Sequence, residues 1–244
     1  MATAKRTLDI LLSAAGLALL SPVLGAVAFA IWVQARHAPF YIAPRAAKGG
    51  GTFQMIKFRS MTVGADRAGI DSTSASDNRI TKIGHFLRRY KLDELPQLWN
   101  VFIGDMSVVG PRPQVMREVG LYTEVERGLL SVRPGITDLS SIVFADEGEI
   151  LTDRSDPDLA YNQLIRPWKS RLGLLYARNA SLRLDIEVIL LTVVALWSRR
   201  RALAGVARLL GRLGADEATR KVSRRDKSLV PSAPPGAAGV VLHR

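Results

Sequence analysis

The 244-residue chain has no cysteine, which excludes disulfides and thiolate metal sites. Histidine is almost as scarce. His37, His85 and His243 are the only three, and nothing around them supports a Ser-His-Asp triad or a histidine-rich zinc site. Acidic residues are the minority charge, 22 Asp/Glu against 34 Lys/Arg, for a net +12. The imbalance is uneven: from Ser198 onward there are eleven Lys/Arg and three Asp/Glu, a net +8. The basic excess is therefore mostly a tail, of the kind that binds nucleic acid or an anionic membrane surface.

One long apolar run is present. Residues 10–33 are interrupted only by Ser13 and the pair Ser21-Pro22. A straight helix of that length spans about 36 Å, enough for a hydrocarbon core of about 30 Å. Pro22 falls at its centre, where a proline removes a backbone bond and kinks the helix. The Ser21 hydroxyl can satisfy the freed carbonyl. Lys5 and Arg6 precede the run, and Arg36, Arg45 and Lys48 follow it. Both basic ends favour the cytoplasm under the positive-inside rule. The pattern predicts a kinked re-entrant helix over residues 1–36; a simple single span is the alternative. The run is too long for the apolar segment of a typical signal peptide.

Beyond it, residues 40–42 and 52–56 read as two short strands, with Lys48-Gly49-Gly50-Gly51 as their turn. If the second strand continues, Lys57 and Arg59 share a face; a solvated cationic edge is the plainer reading. Residues 63–78 are polar and aperiodic, a loop. Residues 80–90 read as a helix that brings Arg88, Arg89 and Lys91 close together. Residues 117–127 read as an amphipathic helix, 142–161 as an acidic loop, and 164–179 and 182–197 as helices. The last of these is too short to span a bilayer securely and is expected to lie on the membrane or pack on the core. A basic amphipathic helix to about Leu213 and a disordered end complete the reading. The division is a membrane helix over 1–36, a catalytic domain over 37–197 and a tail over 198–244. The fold class is mainly α with a small β-hairpin.

The stretch that organises these pieces is Lys91-Leu92-Asp93-Glu94-Leu95-Pro96-Gln97. Two carboxylates stand just before a proline, and apolar residues follow at Leu95, Leu98, Trp99 and Phe102 with helical spacing. Asp93 and Glu94 are thus expected at a helix N-terminus, where negative charge is favoured. There they would suit a nucleophile or metal ligands, though an ordinary N-cap pair reads the same way. Arg112 lies between Pro111 and Pro113, on a stiffened backbone ready to pair with phosphate, or else as an exposed arginine on a rigid turn. Arg133-Pro134-Gly135 repeats the device more weakly. Acids ringed by cations fit a diphosphate site better than a glycosidase pair, whose carboxyls oppose each other about 5 Å or more apart across a sugar. A non-catalytic, membrane-anchored basic binder is the other rival.

In this order and spacing, the apolar hairpin with Ser21-Pro22, Lys57-Phe58-Arg59-Ser60-Met61, the segment from Arg88 through Asp93-Glu94 to Asn100, Gly104-Asp105-Met106-Ser107 and Val109-Gly110-Pro111-Arg112-Pro113 are together specific. The chain resembles the bacterial sugar transferase family, the monotopic polyprenyl-phosphate phosphoglycosyl transferases, from about Lys5 to Trp197. The resemblance implies that Asp93 is the nucleophile on a UDP-sugar, that Glu94 helps hold Mg²⁺ (with Asp93 beside it), and that undecaprenyl phosphate is the acceptor. It further implies that Lys57, Arg59 and Arg88 surround the diphosphate and that Pro111, Arg112 and Pro113, with Arg133, bind substrate. Ser21 and Pro22 would break the membrane helix, and the catalytic domain would face the cytoplasm at the bacterial inner membrane. Membrane lipid is an expected partner and nucleic acid is not. Asp138 and Ser140 stand where many members carry a glycine and a tryptophan, and Gly173 where many carry an acid. By the resemblance, these departures bear on the sugar side of the pocket and on acceptor specificity.

Overall fold

The computed structural model describes residues 2–68 and 72–242. Residues 69–71 of the polar 63–78 segment, and His243, lie outside the described residues. The first element, α1 (Ala2–Ala35), carries Pro22 in its interior yet continues through it as one helix. The Ser21 hydroxyl donates to the Ala18 carbonyl at 2.9 Å, the acceptor that the missing Pro22 amide leaves free. α1 meets the rest of the chain at both ends. Near its start, Lys5 pairs with Asp185 at 2.7 Å, and Arg6 donates to the Val101 and Phe102 carbonyls. Asp9 accepts from the Ser107 hydroxyl and the Val108 amide. Near its end, Ile31 is buried with Phe58 and Leu87. Leu11, Leu19 and Phe29 between them are exposed.

The expected hairpin forms. β1 (Phe40–Ala46) pairs antiparallel with β2 (Thr52–Phe58), from Phe40 opposite Phe58 to Ala46 opposite Thr52. Gly49 and Gly50 close it at φ 82° and 87°, a region open to glycine. Next come α2 (Lys82–Arg89), capped by the Thr81 hydroxyl, and α3 (Gln97–Ile103), ended by Gly104 at φ 102°. β3 (Ser107–Val109) and β4 (Gly135–Thr137) form a second, parallel two-stranded sheet that the sequence did not suggest.

Several readings need correction. The single helix expected over 117–127 is instead α4 (Met116–Gly120) and a 3-10 stretch at Glu126–Ser131, since Gly120 favours a break. The acidic segment 142–161 is not a loop. It holds the end of α5 (Leu139–Val143), α6 (Glu147–Ile150) and the start of α7 (Pro157–Leu164). Asp138 and Asp156 cap α5 and α7, and Pro157 occupies the first turn of α7.

α8 (Arg166–Asn179) and α9 (Leu182–Trp197) follow, then α10 (Arg199–Arg212) and α11 (Glu217–Ser223). The main core joins α5, α7, α8 and α9 to Ala202, Leu203, Val206, Leu209 and Leu210 of α10. The basic helix is thus one wall of the core. The end expected to be disordered contains α11, and Ser232 donates its amide to the Gln163 carbonyl at 3.0 Å.

Candidate active site

Asp93 and Glu94 lie on a 3-10 turn, Leu92–Glu94, between α2 and α3. Lys91 opens the turn at φ 57°. This left-handed conformation costs a non-glycine residue about 1 kcal/mol or more and is a form of strain found at functional sites. Pro96 then begins α3.

The two carboxyls have opposite fates. Asp93 is 6% exposed, and its Oδ1 has no hydrogen-bond partner among the described residues. Burial, then the neighbouring Glu94 charge, raises its proton affinity against the pull of Lys57, Arg88 and Arg112. Glu94 is gripped by Arg112 through both oxygens, with Lys57 Nζ 3.6 Å from Oε1. Burial opposes its charge, but Arg112 and Lys57 outweigh it and hold Glu94 far below the usual carboxylate range. Burial, then Arg112, brings Lys57 down to about 8. The expectation that a helix end keeps both acids ionised holds for Glu94; for Asp93, desolvation works the other way.

Arg112 is placed by backbone on both sides. The Gly135 amide donates to the Pro111 carbonyl and the Gly110 amide to the Thr137 carbonyl, each at 3.0 Å. A Cβ on Gly110 would stand 2.2 Å from the Arg133 carbonyl oxygen, and one on Gly135 2.1 Å from the Gly110 nitrogen. The Val109 carbonyl accepts from Lys5 and from the Tyr176 hydroxyl at 3.1 and 3.0 Å, and Asp185 binds both donors. The start of α1 and the arginine segment thus share one buried polar network.

Behind Arg112 lies a cavity of about 40 Å³ whose walls include Gln114, Tyr122, Asp138, Ser140, Tyr161 and Lys169. Lys169 pairs with Glu147. Burial opposes the Glu147 charge, but Lys169, then Arg112, lower its proton affinity.

The structure brings Asp93, Glu94, Lys57, Arg88 and Arg112 into one electrostatic cluster, and Pro111 and Pro113 line the cavity. Arg59 turns away and donates to the Ala38 and Phe40 carbonyls at 2.9 and 3.1 Å. The Arg133 side chain is exposed, and its contribution is the carbonyl facing Gly110. Ser21 and Pro22 belong to the exposed face of α1. Sequence reasoning missed Glu147 and Lys169, 22 residues apart and without a local motif. It also missed the fully buried Gln97, whose amide oxygen and nitrogen both lack partners among the described residues.

Both Glu94 oxygens already face Arg112, which leaves Asp93 as the acid open to a divalent cation. No group of three or more His, Asp or Glu side chains able to hold a metal occurs among the described residues. Asp93 Oδ1 nevertheless offers an unpartnered carboxylate oxygen beside Glu94. Mg²⁺ is commonly held by one or two carboxylates completed by substrate phosphate.

The sequence profile of a family described as bacterial sugar transferase matches residues 1–199. A Klebsiella pneumoniae protein named UDP-glucose:undecaprenyl-phosphate glucose-1-phosphate transferase is 36% identical over 193 residues, covering 78% of this chain and 39% of that protein. A Caulobacter vibrioides protein of the same name is 31% identical over 205 residues, covering 81% and 71%. An Aeromonas hydrophila protein named UDP-N-acetylgalactosamine-undecaprenyl-phosphate N-acetylgalactosaminephosphotransferase is 32% identical over 196 residues, covering 78% and 42%. The chain therefore spans about two fifths of the length of the first and third.

Proposed function

The chain belongs to the bacterial sugar transferase family, and from that premise we propose that it transfers a sugar 1-phosphate from a UDP-sugar to undecaprenyl phosphate. The observation that carries this reading is the contrast within the acid pair: a buried Asp93 oxygen without a partner beside a Glu94 locked by cations. A desolvated carboxylate is a stronger nucleophile than a hydrated one. In the first step Asp93 attacks the β-phosphorus of the donor. A phosphorus–oxygen bond to Asp93 forms, the bond to the bridging oxygen breaks, and UMP leaves with that oxygen. In the second step an oxygen of the lipid phosphate attacks the same phosphorus and releases Asp93.

Arg112, Lys57 and Arg88 supply the fixed positive charge on which phosphoryl transfer depends. Glu94 orients Arg112 and Lys57. Glu94 and Asp93, with phosphate oxygens, would hold Mg²⁺, which supplies charge neutralisation when bound.

The membrane side of the reading rests on α1, the one helix among the described residues long and apolar enough to cross a bilayer. Both its ends dock on the same domain, which supports a re-entrant course with both ends on the cytoplasmic face. The exposed Ile186, Leu190, Val193 and Trp197 of α9 suit an interfacial position. The reaction would start assembly of a polysaccharide or glycoconjugate on its lipid carrier. Relatives are named for glucose and for N-acetylgalactosamine at similar identity, so the sugar is a question for a donor panel.

The deciding experiment is the intact mass of purified protein after incubation with Mg²⁺ and a panel of UDP-sugars, without lipid acceptor, beside Asp93→Asn. A covalent gain of one sugar phosphate, absent in the variant, is expected, and it identifies the sugar as well. Label reaching undecaprenyl phosphate without an adduct would replace the two-step route with direct transfer. Neither adduct nor transfer would overturn the reading in favour of a membrane-anchored binder.

A further inference from the structure

The family profile ends at residue 199, yet the chain beyond it is built into the walls around the cavity. Four grips are visible, and each acts one residue from a group that faces the cavity or pairs with one that does. The Thr123 hydroxyl donates to the Pro235 carbonyl at 2.5 Å, next to Tyr122. Arg171 donates to the Ala233 carbonyl at 3.0 Å, next to Ser170. Arg225 pairs with Asp146 at 2.9 Å, which Arg199 also holds from within the profile, next to Glu147 and hence to its partner Lys169. Gln163 receives the Ser232 amide on its carbonyl and donates its side-chain amide to the Val241 carbonyl, next to Asn162, which accepts from Arg166.

The geometry of this segment is specific. The Ala237 amide donates to the Pro234 carbonyl at 3.0 Å, and Gly236 sits at φ 83°. This is a type II turn with proline and glycine at its two centres. Gly236 is seated where a Cβ would stand 2.7 Å from Val125 and 3.2 Å from the Thr123 hydroxyl. Behind that contact lies a buried knot: Glu126 accepts from Arg166, Ser170 and the Thr123 amide. Arg166 and Ser170 both line the cavity. The turn therefore presses on a wall whose far side is the cavity surface. Leu229 packs against the main core while Val230 and Leu242 remain exposed, so polar grips and apolar contact together fix its course.

We propose that residues 225–241 form a strap that positions the cavity walls around Arg112 and so sets the affinity for the nucleotide-sugar donor. Its residues touch no reacting group; they act through Tyr122, the Glu126–Arg166–Ser170 knot and the Glu147–Lys169 pair. The inference rests on the transferase reading for its substrate, but its structural core can be tested without it.

The test uses the full chain with two substitutions outside the proposed catalytic machinery. Gly236→Ala pries the turn away from Val125, and Thr123→Val removes one hydroxyl at nearly constant volume, with Thr123→Ser as the rescue. Donor KM and kcat are measured by transfer to undecaprenyl phosphate, and amide hydrogen exchange is followed across the chain. A rise in KM of about fivefold with kcat within about twofold is the expected split for lost binding. Exchange should quicken at residues 121–130 and 163–171, and Thr123→Ser should restore both. Faster exchange confined to residues 228–241, with KM unchanged, would overturn the proposal and leave the strap a passive end. If the unaltered protein transfers no sugar, the transferase reading fails, and the exchange pattern at the walls still decides whether the strap positions them. Should Gly236→Ala not fold, Gln163→Leu, which removes only the side-chain bond to Val241, takes its place with the readout at residues 121–130, because the Thr123 hydroxyl also accepts from the Glu126 amide and Thr123→Val loosens that wall directly.

Discussion

Asp93 and Glu94 are adjacent in sequence and opposite in electrostatics, and that difference has measurable consequences. Lys57 is brought down to about 8 by burial and then by Arg112. Its charged form is the one that binds a diphosphate, so that contribution is lost as pH rises through the folded value. We expect kcat/KM to fall above about pH 8, the free-enzyme limb of the profile. Lys57→Arg, whose charge persists, should move that limb above about pH 9 at a lower maximum. Asp93 carries the complementary prediction. Its folded proton affinity is raised by burial first, so its ionised form destabilises the fold. That penalty is absent below the ordinary aspartate range and grows as pH rises through the raised value. Asp93→Asn should therefore melt higher at pH 8, by about 2–4 °C for a difference near 1 kcal/mol, and the gap should close near pH 4. A melting curve that drops at pH 8 would refute this account. Much of the cluster was legible, because Asp93-Glu94 and Pro111-Arg112-Pro113 are local patterns. Arg59 stands apart from the cluster for a physical reason. Strand alternation would align it with Lys57, but β2 stops at Phe58 and the guanidinium folds back on the carbonyls of Ala38 and Phe40.

At the scale of elements, α1 was the easiest to read and β3 the hardest. A 24-residue, almost wholly apolar run leaves little choice of structure. Three-residue strands such as β3 and β4 have no measurable period, and their pairing across distant sequence is invisible to a local window. The short helices between 139 and 164 were hidden by acidic composition. Their stability comes from burying Leu139, Val143, Tyr161 and Leu164 in the core, which no local window reveals. The course of α1 through the membrane is directly testable because the chain lacks cysteine. Single cysteines at Thr3 and at His37, probed with a membrane-impermeant maleimide in spheroplasts, should both be protected until the membrane is permeabilised. Labelling of one alone would establish a full span. Ser21→Ala should lower the yield of folded membrane protein, since it leaves the Ala18 carbonyl without its partner where lipid offers none.

The whole molecule places its apolar and basic surfaces on neighbouring helices. α9 exposes Leu190, Leu196 and Trp197, while Arg200, Arg201 and Arg208 of α10 are exposed beside it. Each basic residue near an anionic bilayer is worth about 1 kcal/mol at low salt. Transfer in nanodiscs containing anionic lipid should therefore outpace that in zwitterionic ones. The triple variant Arg200→Gln, Arg201→Gln, Arg208→Gln should erase most of the difference, as should about 0.5 M salt. A lipid dependence unchanged in the variant would dissociate α10 from the bilayer.

The paired glycines behind Arg112 also govern how such a protein can diverge. An ordinary packing defect can be mended by trimming a neighbouring side chain. The obstacle at Gly110 and Gly135 is main chain on both sides, and main chain cannot be trimmed. A larger residue at either position would have to move the strands themselves, so the seat of the arginine is fixed by main chain rather than by packing.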